Sequence, residues 1–155
     1  MEIFQNFPLW SALIAIIVAQ FIKIPLAYFA TKKLNFELFT STGGMPSSHS
    51  AAVTALSTAV AIEMGLDSPV FAATAILGII VMFDATGVRR HAGYHATVLN
   101  QLVADFNKLV DEVKTWPKKE DAEKLKELLG HQPIEVFFGA LLGIFITLGL
   151  YNWIF

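Results

Sequence analysis

Apolar residues run along this chain in four long stretches, at residues 3–22, 48–64, 69–83 and 133–155, separated by short polar breaks. A helix needs about 20 apolar residues to cross the hydrocarbon core of a bilayer. The first and last stretches reach that length, and the middle two fall short of it. The pattern therefore predicts an all-α, polytopic membrane bundle of about four segments, in which the two short ones form either full spans or a shallow hairpin buried in protein. A chain that is 55% hydrophobic and 15% charged, with a mean hydropathy of +0.57, agrees with membrane residence. Met1 and Glu2 supply no basic leader, so the first stretch is read as a retained helix and not a cleaved signal.

A different pattern appears between the third and fourth stretches. Leu99, Leu102, Phe106, Leu109 and Val113 alternate spacings of three and four, with Asp105, Lys108, Asp111 and Glu112 between them. That spacing predicts an amphipathic helix. A break at "TWP", 115–117, and a charged helix, "KKEDAEKLKELLG", ending at Gly130 follow. Residues 89–130 thus read as a cytoplasmic helical insertion in a single membrane domain spanning 1–155. It packs on itself or on the bilayer surface, or offers a seam for a homodimer.

Charge changes the picture by fixing orientation. All 11 Lys and Arg residues fall in the connections 23–47 and 84–132. The positive-inside rule places both connections in the cytoplasm and both termini outside. The chain has no cysteine, so no disulfide or thiolate site arises. No nucleic-acid partner is expected.

The same rule gathers the chemistry at one face. His49, His91, His95 and His131 all lie on the cytoplasmic side, with Asp84, Arg89, Arg90 and Glu135. In "GGMPSSHS", 43–50, Pro46 suits the first turn of a helix, serines can cap it, and Gly43 and Gly44 can turn backbone amides inward. A helix N-terminus of that kind attracts an anion, and His49 one turn in can deliver a proton. A capped membrane helix would explain the same residues. In "GHQPIEVFFGALLG", 130–143, Glu135 lies four residues after His131, near enough for its carboxylate to hold one imidazole nitrogen while the other faces a substrate. Gly139 and Gly143 form a small-residue ridge for close helix approach. In "DATGVRRHAGYHATVLN", 84–100, Arg89 and Arg90 can neutralise a phosphate or simply anchor the membrane edge, and His91, His95 and Asp84 can in principle ligate a divalent metal, although no further acidic ligand lies nearby.

"PSSHS" resembles the P-S-G-H motif, and "HQPIEVFFGALLG" the H-x-P-x-D-V-x-x-G-x-x-x-G run, of the type 2 phosphatidic acid phosphatase and vanadium haloperoxidase superfamily. "GGMPSSHSA", "DATGVRR" and "GHQPIEVFFGALLG" together resemble its divergent, YuiD-like branch over nearly the whole chain. The resemblance implies a lipid-phosphate phosphatase that works through a phosphohistidine with no metal or cofactor. It implies His131 as nucleophile, Glu135 as its orienter and His49 as general acid. Ser47, Ser48, Gly43 and Gly44 would supply an amide cradle, and Arg89 or Arg90 the arginine. Four departures stand out: Glu135 replaces an aspartate, and Ser48 replaces the motif glycine. About forty residues, instead of six, separate Arg89 from His131. The first motif's lysine has only Lys23, Lys32 or Lys33 as substitutes. His95 does lie six after Arg89, which leaves it as the alternative nucleophile, with Leu99 where an acid would be needed. The expected partner is a lipid phosphate of the cytoplasmic leaflet, such as phosphatidylglycerophosphate, phosphatidate or a polyprenyl phosphate. The alternatives are a non-catalytic lipid- or phosphate-binding descendant and a scaffold that recruits a partner through its insertion.

Overall fold

The computed structural model describes residues 2–32, 43–113, 125 and 130–154. Among these residues, a short 3-10 turn, Glu2–Gln5, is followed by five helices: α1 Phe7–Thr31, α2 Ser48–Met64, α3 Pro69–Thr86, α4 Val88–Val113 and α5 Pro133–Ile154. No strand occurs among the described residues. Among the described residues, three stretches are long and apolar enough to cross a membrane: Phe7–Phe29, Pro69–Leu109 and Pro133–Trp153. With 17 residues, α2 is the short one, at roughly 26 Å against a hydrocarbon core of about 30 Å. It is also the hub, packed against α1, α3 and α5. The expected four-segment bundle is thus three span-length helices around a shorter one whose backbone is sheltered by protein.

The helix starts follow from local chemistry. Asn6 Oδ1 accepts from the Leu9 amide at 2.9 Å, Ser68 Oγ from Val70 at 3.1 Å, and Ser47 Oγ from Ser50 at 3.4 Å. Pro69 and Pro133 occupy the first helical positions of α3 and α5, where no intrahelical donor is needed. Pro46 does not do the same for α2. It precedes the cap, because Ser47 takes the N-cap position and the helix begins at Ser48.

Two boundaries differ from the apolar pattern. Lys23 marks the end of the first apolar stretch in the sequence, but α1 continues to Thr31 because Ile24 to Phe29 resume an apolar run. Lys23 is therefore an interior residue of the helix. The amphipathic helix expected from Leu99 begins at Val88, directly after Gly87, so it is almost continuous with α3. Val98, Leu99, Leu102, Val103, Phe106 and Leu109 are exposed along it. The expected break at 115–117 lies outside the described residues, as does the charged helix after it apart from Leu125 and Gly130.

The core is made of small side chains. Ala15 and Ala19 of α1 meet Ala51 and Ala55 of α2, with Leu142 and Ile146 of α5 packed against them. A Cβ added at Gly139 would strike the Ser47 carbonyl, and one at Gly143 the Ala51 carbonyl and Thr54 Oγ1. The glycine ridge of α5 therefore seats its backbone on α2, as the spacing of the glycines predicts. Hydroxyls then bond across the seam: Thr54 Oγ1 donates to the Ala140 carbonyl at 3.0 Å and Thr147 Oγ1 to that of Ala55 at 3.2 Å. At one end of the bundle Phe4 stacks on Trp10, and Phe7 meets Tyr151, both at 6.2 Å between ring centroids. Aromatic residues of this kind favour a membrane interface.

Candidate functional site

At the opposite end, the C-terminal part of α1, the N-terminus of α2, the end of α3 and the N-terminus of α5 converge. The convergence is held by main-chain bonds. The Ser47 amide donates to the Glu135 carbonyl, and the His131 amide to the Ala85 carbonyl, each at 3.0 Å. These two bonds place the turn before α5 against the start of α2 on one side and the end of α3 on the other.

His131 is 2% exposed. Its Nδ1 lies 3.0 Å from Glu135 Oε2, which also accepts from the Gln132 amide at 3.0 Å. A carboxylate so placed accepts a hydrogen, so the proton belongs on Nδ1 and the lone pair on Nε2. Nε2 is buried, and no group among the described residues bonds to it. Unpartnered buried nitrogens are uncommon, because losing water without a replacement costs about 1–3 kcal/mol. The ring of His49 faces this one edge-on at 6.4 Å between centroids. That is too far for a bond between the rings. It matches a small anion between them, with one nitrogen at about 3 Å from its central atom and the other at about 3 Å from one of its oxygens.

Cations complete the group. Lys23, 2% exposed within α1, acts electrostatically on both Glu135 and His49. Of the two described lysines proposed for the missing first motif, Lys23 and Lys32, it is Lys23 that the fold buries beside this group. Lys32 instead sits over the Phe29 ring at 6.0 Å, at the far end of its own helix, and Lys33 lies outside the described residues. The charge of Arg89 also reaches His49, and its Nε donates to Asp84 Oδ2 at 2.6 Å.

The separation of Arg89 from His131 along the chain is closed in space by a glycine. Gly130 has φ +90, and a Cβ there would meet the backbone of Arg89 and Arg90, with Arg90 Cα only 2.6 Å away. Only a residue without a side chain fits both that conformation and that approach. The turn carrying His131 is thereby laid on the start of α4.

Some candidates fall elsewhere. His91, His95 and the Arg90 side chain are exposed on α4. The ring that faces His49 is that of His131. The cradle expected from Ser47, Ser48, Gly43 and Gly44 needs correcting at Ser47. Its amide donates to the Glu135 carbonyl and its hydroxyl oxygen accepts from the Ser50 hydroxyl at 3.1 Å, so Ser47 holds the wall together and its amide is not free for an anion. Ser48, buried in the first turn of α2, keeps an amide without an intrahelical acceptor. Gly44 has φ +89, with open space where a Cβ would stand. Sequence reasoning missed Gly130 as a wedge and Lys23 as an interior cation. The glycine immediately before His131 was the available signal for the first.

A family model described as the Divergent PAP2 family matches residues 4–146, which contain every residue of the group just described. The uncharacterized membrane protein YuiD of Bacillus subtilis (strain 168) is 65% identical over 153 residues, covering 97% of each chain. No solved structure matches this chain.

Proposed function

This chain belongs to the divergent PAP2 family, and from that membership and the pairing of His131 with Glu135 opposite His49 we propose that it is a membrane lipid-phosphate phosphatase. The carrying observation is the buried, unpartnered Nε2 of His131, with its lone pair on the side of the ring away from Glu135. In the proposed reaction Nε2 attacks phosphorus and forms an N–P bond. The P–O bond to the lipid alcohol breaks, and His49 gives its proton to the departing oxygen. Water, deprotonated by His49, then attacks the phosphohistidine. Inorganic phosphate leaves and His131 is restored. Glu135 holds the imidazole in the reactive tautomer and balances the positive charge it gains. Lys23, Arg89 and the free amides at the start of α2 stabilise the phosphoryl oxygens. The proposal includes a site at the cytoplasmic face of the cell membrane with both termini outside, a reading supported by the positive-inside distribution of Lys and Arg.

The test is release of inorganic phosphate from phosphatidate, phosphatidylglycerophosphate and polyprenyl phosphate in mixed micelles by the purified protein. His131→Asn is expected to abolish release and His95→Asn to leave it unchanged. The reverse pattern would assign the nucleophile to α4. A second reading, a non-catalytic lipid-phosphate binder, is favoured by the engagement of the Ser47 amide and by the burial of His131. A wild-type protein that binds these lipids with no release from any of them would establish it.

A further inference from the structure

Asp84 belongs to the last turn of α3 and Arg89 to the first turn of α4, and the helix is interrupted between them at Gly87. Their ion pair, Nε to Oδ2 at 2.6 Å, therefore crosses the break. Arg89 offers five N–H donors in a planar fork, and the carboxylate takes the one on Nε. Among the described residues, nothing bonds to the two terminal nitrogens. The residue following Asp84 accepts the His131 amide, and the backbone of Arg89 and Arg90 receives Gly130. Asp84 and Arg89 thus stand on either side of the turn that carries His131.

We infer that Asp84 is a positioning residue: by holding Arg89 through Nε, it keeps the outer edge of the guanidinium turned to the anion that His49 and His131 share. This rests on the phosphatase reading of the site. A long arginine side chain on an exposed helix start samples many rotamers, and fixing it costs conformational entropy. With the carboxylate bearing on one side of the fork, that ordering is already done when the phosphate arrives, and the two terminal nitrogens meet two oxygens together. Asp84 also brings a negative charge near an anion site, so its two effects oppose each other. That opposition makes them separable.

The experiment measures binding of inorganic orthovanadate, a phosphate mimic, to the purified protein in detergent micelles by calorimetry, with the thermal midpoint recorded alongside. Asp84→Ala is expected to weaken binding about tenfold, the scale of one charge-assisted contact. Asp84→Asn keeps an acceptor for Nε and removes the charge, so it is expected to bind as well as the wild type or slightly better. In an Arg89→Ala background, Asp84→Ala is expected to have no further effect, because the two residues then act through a lost partner. Tighter binding in both Asp84 variants would make Asp84 a mere counter-ion and overturn the inference. So would unchanged binding in Asp84→Ala with a lowered midpoint, which is the result for a simple brace across Gly87. A wild-type protein that binds no orthovanadate overturns the phosphate site itself and this inference with it. Binding by the wild type with no dependence on Asp84 sinks the inference alone.

Discussion

Replacing Gly143 by alanine puts a methyl group where the Ala51 carbonyl and Thr54 Oγ1 already stand, with the Ala55 amide nitrogen at 2.9 Å. Nonbonded contacts to carbon settle near about 3.5 Å, so α5 and α2 would have to part by roughly 1 Å at this point. Overpacking of that kind costs about 1–3 kcal/mol. The parting also stretches the bonds from Thr54 to Ala140 and from Thr147 to Ala55, each worth about 0.6 kcal/mol between membrane helices. Against a total of about 2–4 kcal/mol stands the helix preference of alanine over glycine, which returns about 1 kcal/mol. Gly149 supplies the control: it lies on the same helix and has nothing within 4 Å of a Cβ, so its alanine variant gains the preference without the clash. The two variants should therefore differ by about 2–4 kcal/mol in reversible unfolding by sodium dodecyl sulfate titrated into dodecyl maltoside micelles, followed by circular dichroism. Because the turn that carries His131 leads directly into α5, Gly143→Ala should lose ligand binding at temperatures where it is still folded. Equal stability of the two variants would refute the close seating of α5 on α2.

Two other outcomes are expected. Lys23→Met, measured on folded protein, should lower orthovanadate affinity by roughly tenfold or more, because a buried cation beside Glu135 and His49 is lost; an unchanged affinity would take Lys23 out of the site. The natural chain has no cysteine, so single cysteines report topology directly: Asp67→Cys, in the turn between α2 and α3, should react with a membrane-impermeant maleimide in intact cells, and Lys108→Cys only after permeabilisation, whereas the opposite result would place the site outside.

The apolar runs, with Pro69 and Pro133 at their starts, located α3 and α5 correctly, because proline at the first helical position and a long apolar stretch are local signals. The local signals failed where one residue carried two meanings. Lys23 reads as a membrane boundary because a charge usually is one, and only the packing of α1 against α2 and α5 shows that it faces inward. The start of α4 failed for a related reason: Val88 to Val98 contain arginines, histidines and a glycine, which obscure the amphipathic period that is plain from Leu99 onward. Nor does any hydrophobic pattern indicate that the shortest helix, α2, sits at the centre. Its alanines and hydroxyls do so, since small residues are what allow three neighbours to approach one backbone.

For the site, individual residues were legible and their assembly was not. The His131–Glu135 pair is a same-turn contact that spacing alone predicts, and the structure has it at 3.0 Å. Its meeting with His49 is tertiary, as is the approach of Arg89, and both depend on groups that carry no chemistry. The Ser47 amide bond to Glu135 brings the two histidine-bearing helix starts together. Gly130 brings the arginine turn. In the resembled superfamily arginine and histidine lie six residues apart, and here an inserted helix separates them. The separation is tolerable only if the chain returns to the same point. A glycine at φ +90 lying on the Arg89–Arg90 backbone is the means of return, and any side chain at position 130 would push His131 away from Ala85 and from the arginine together. The insertion thus returns the chain to the start of α4 through one contact between backbones, in place of continuity along the sequence.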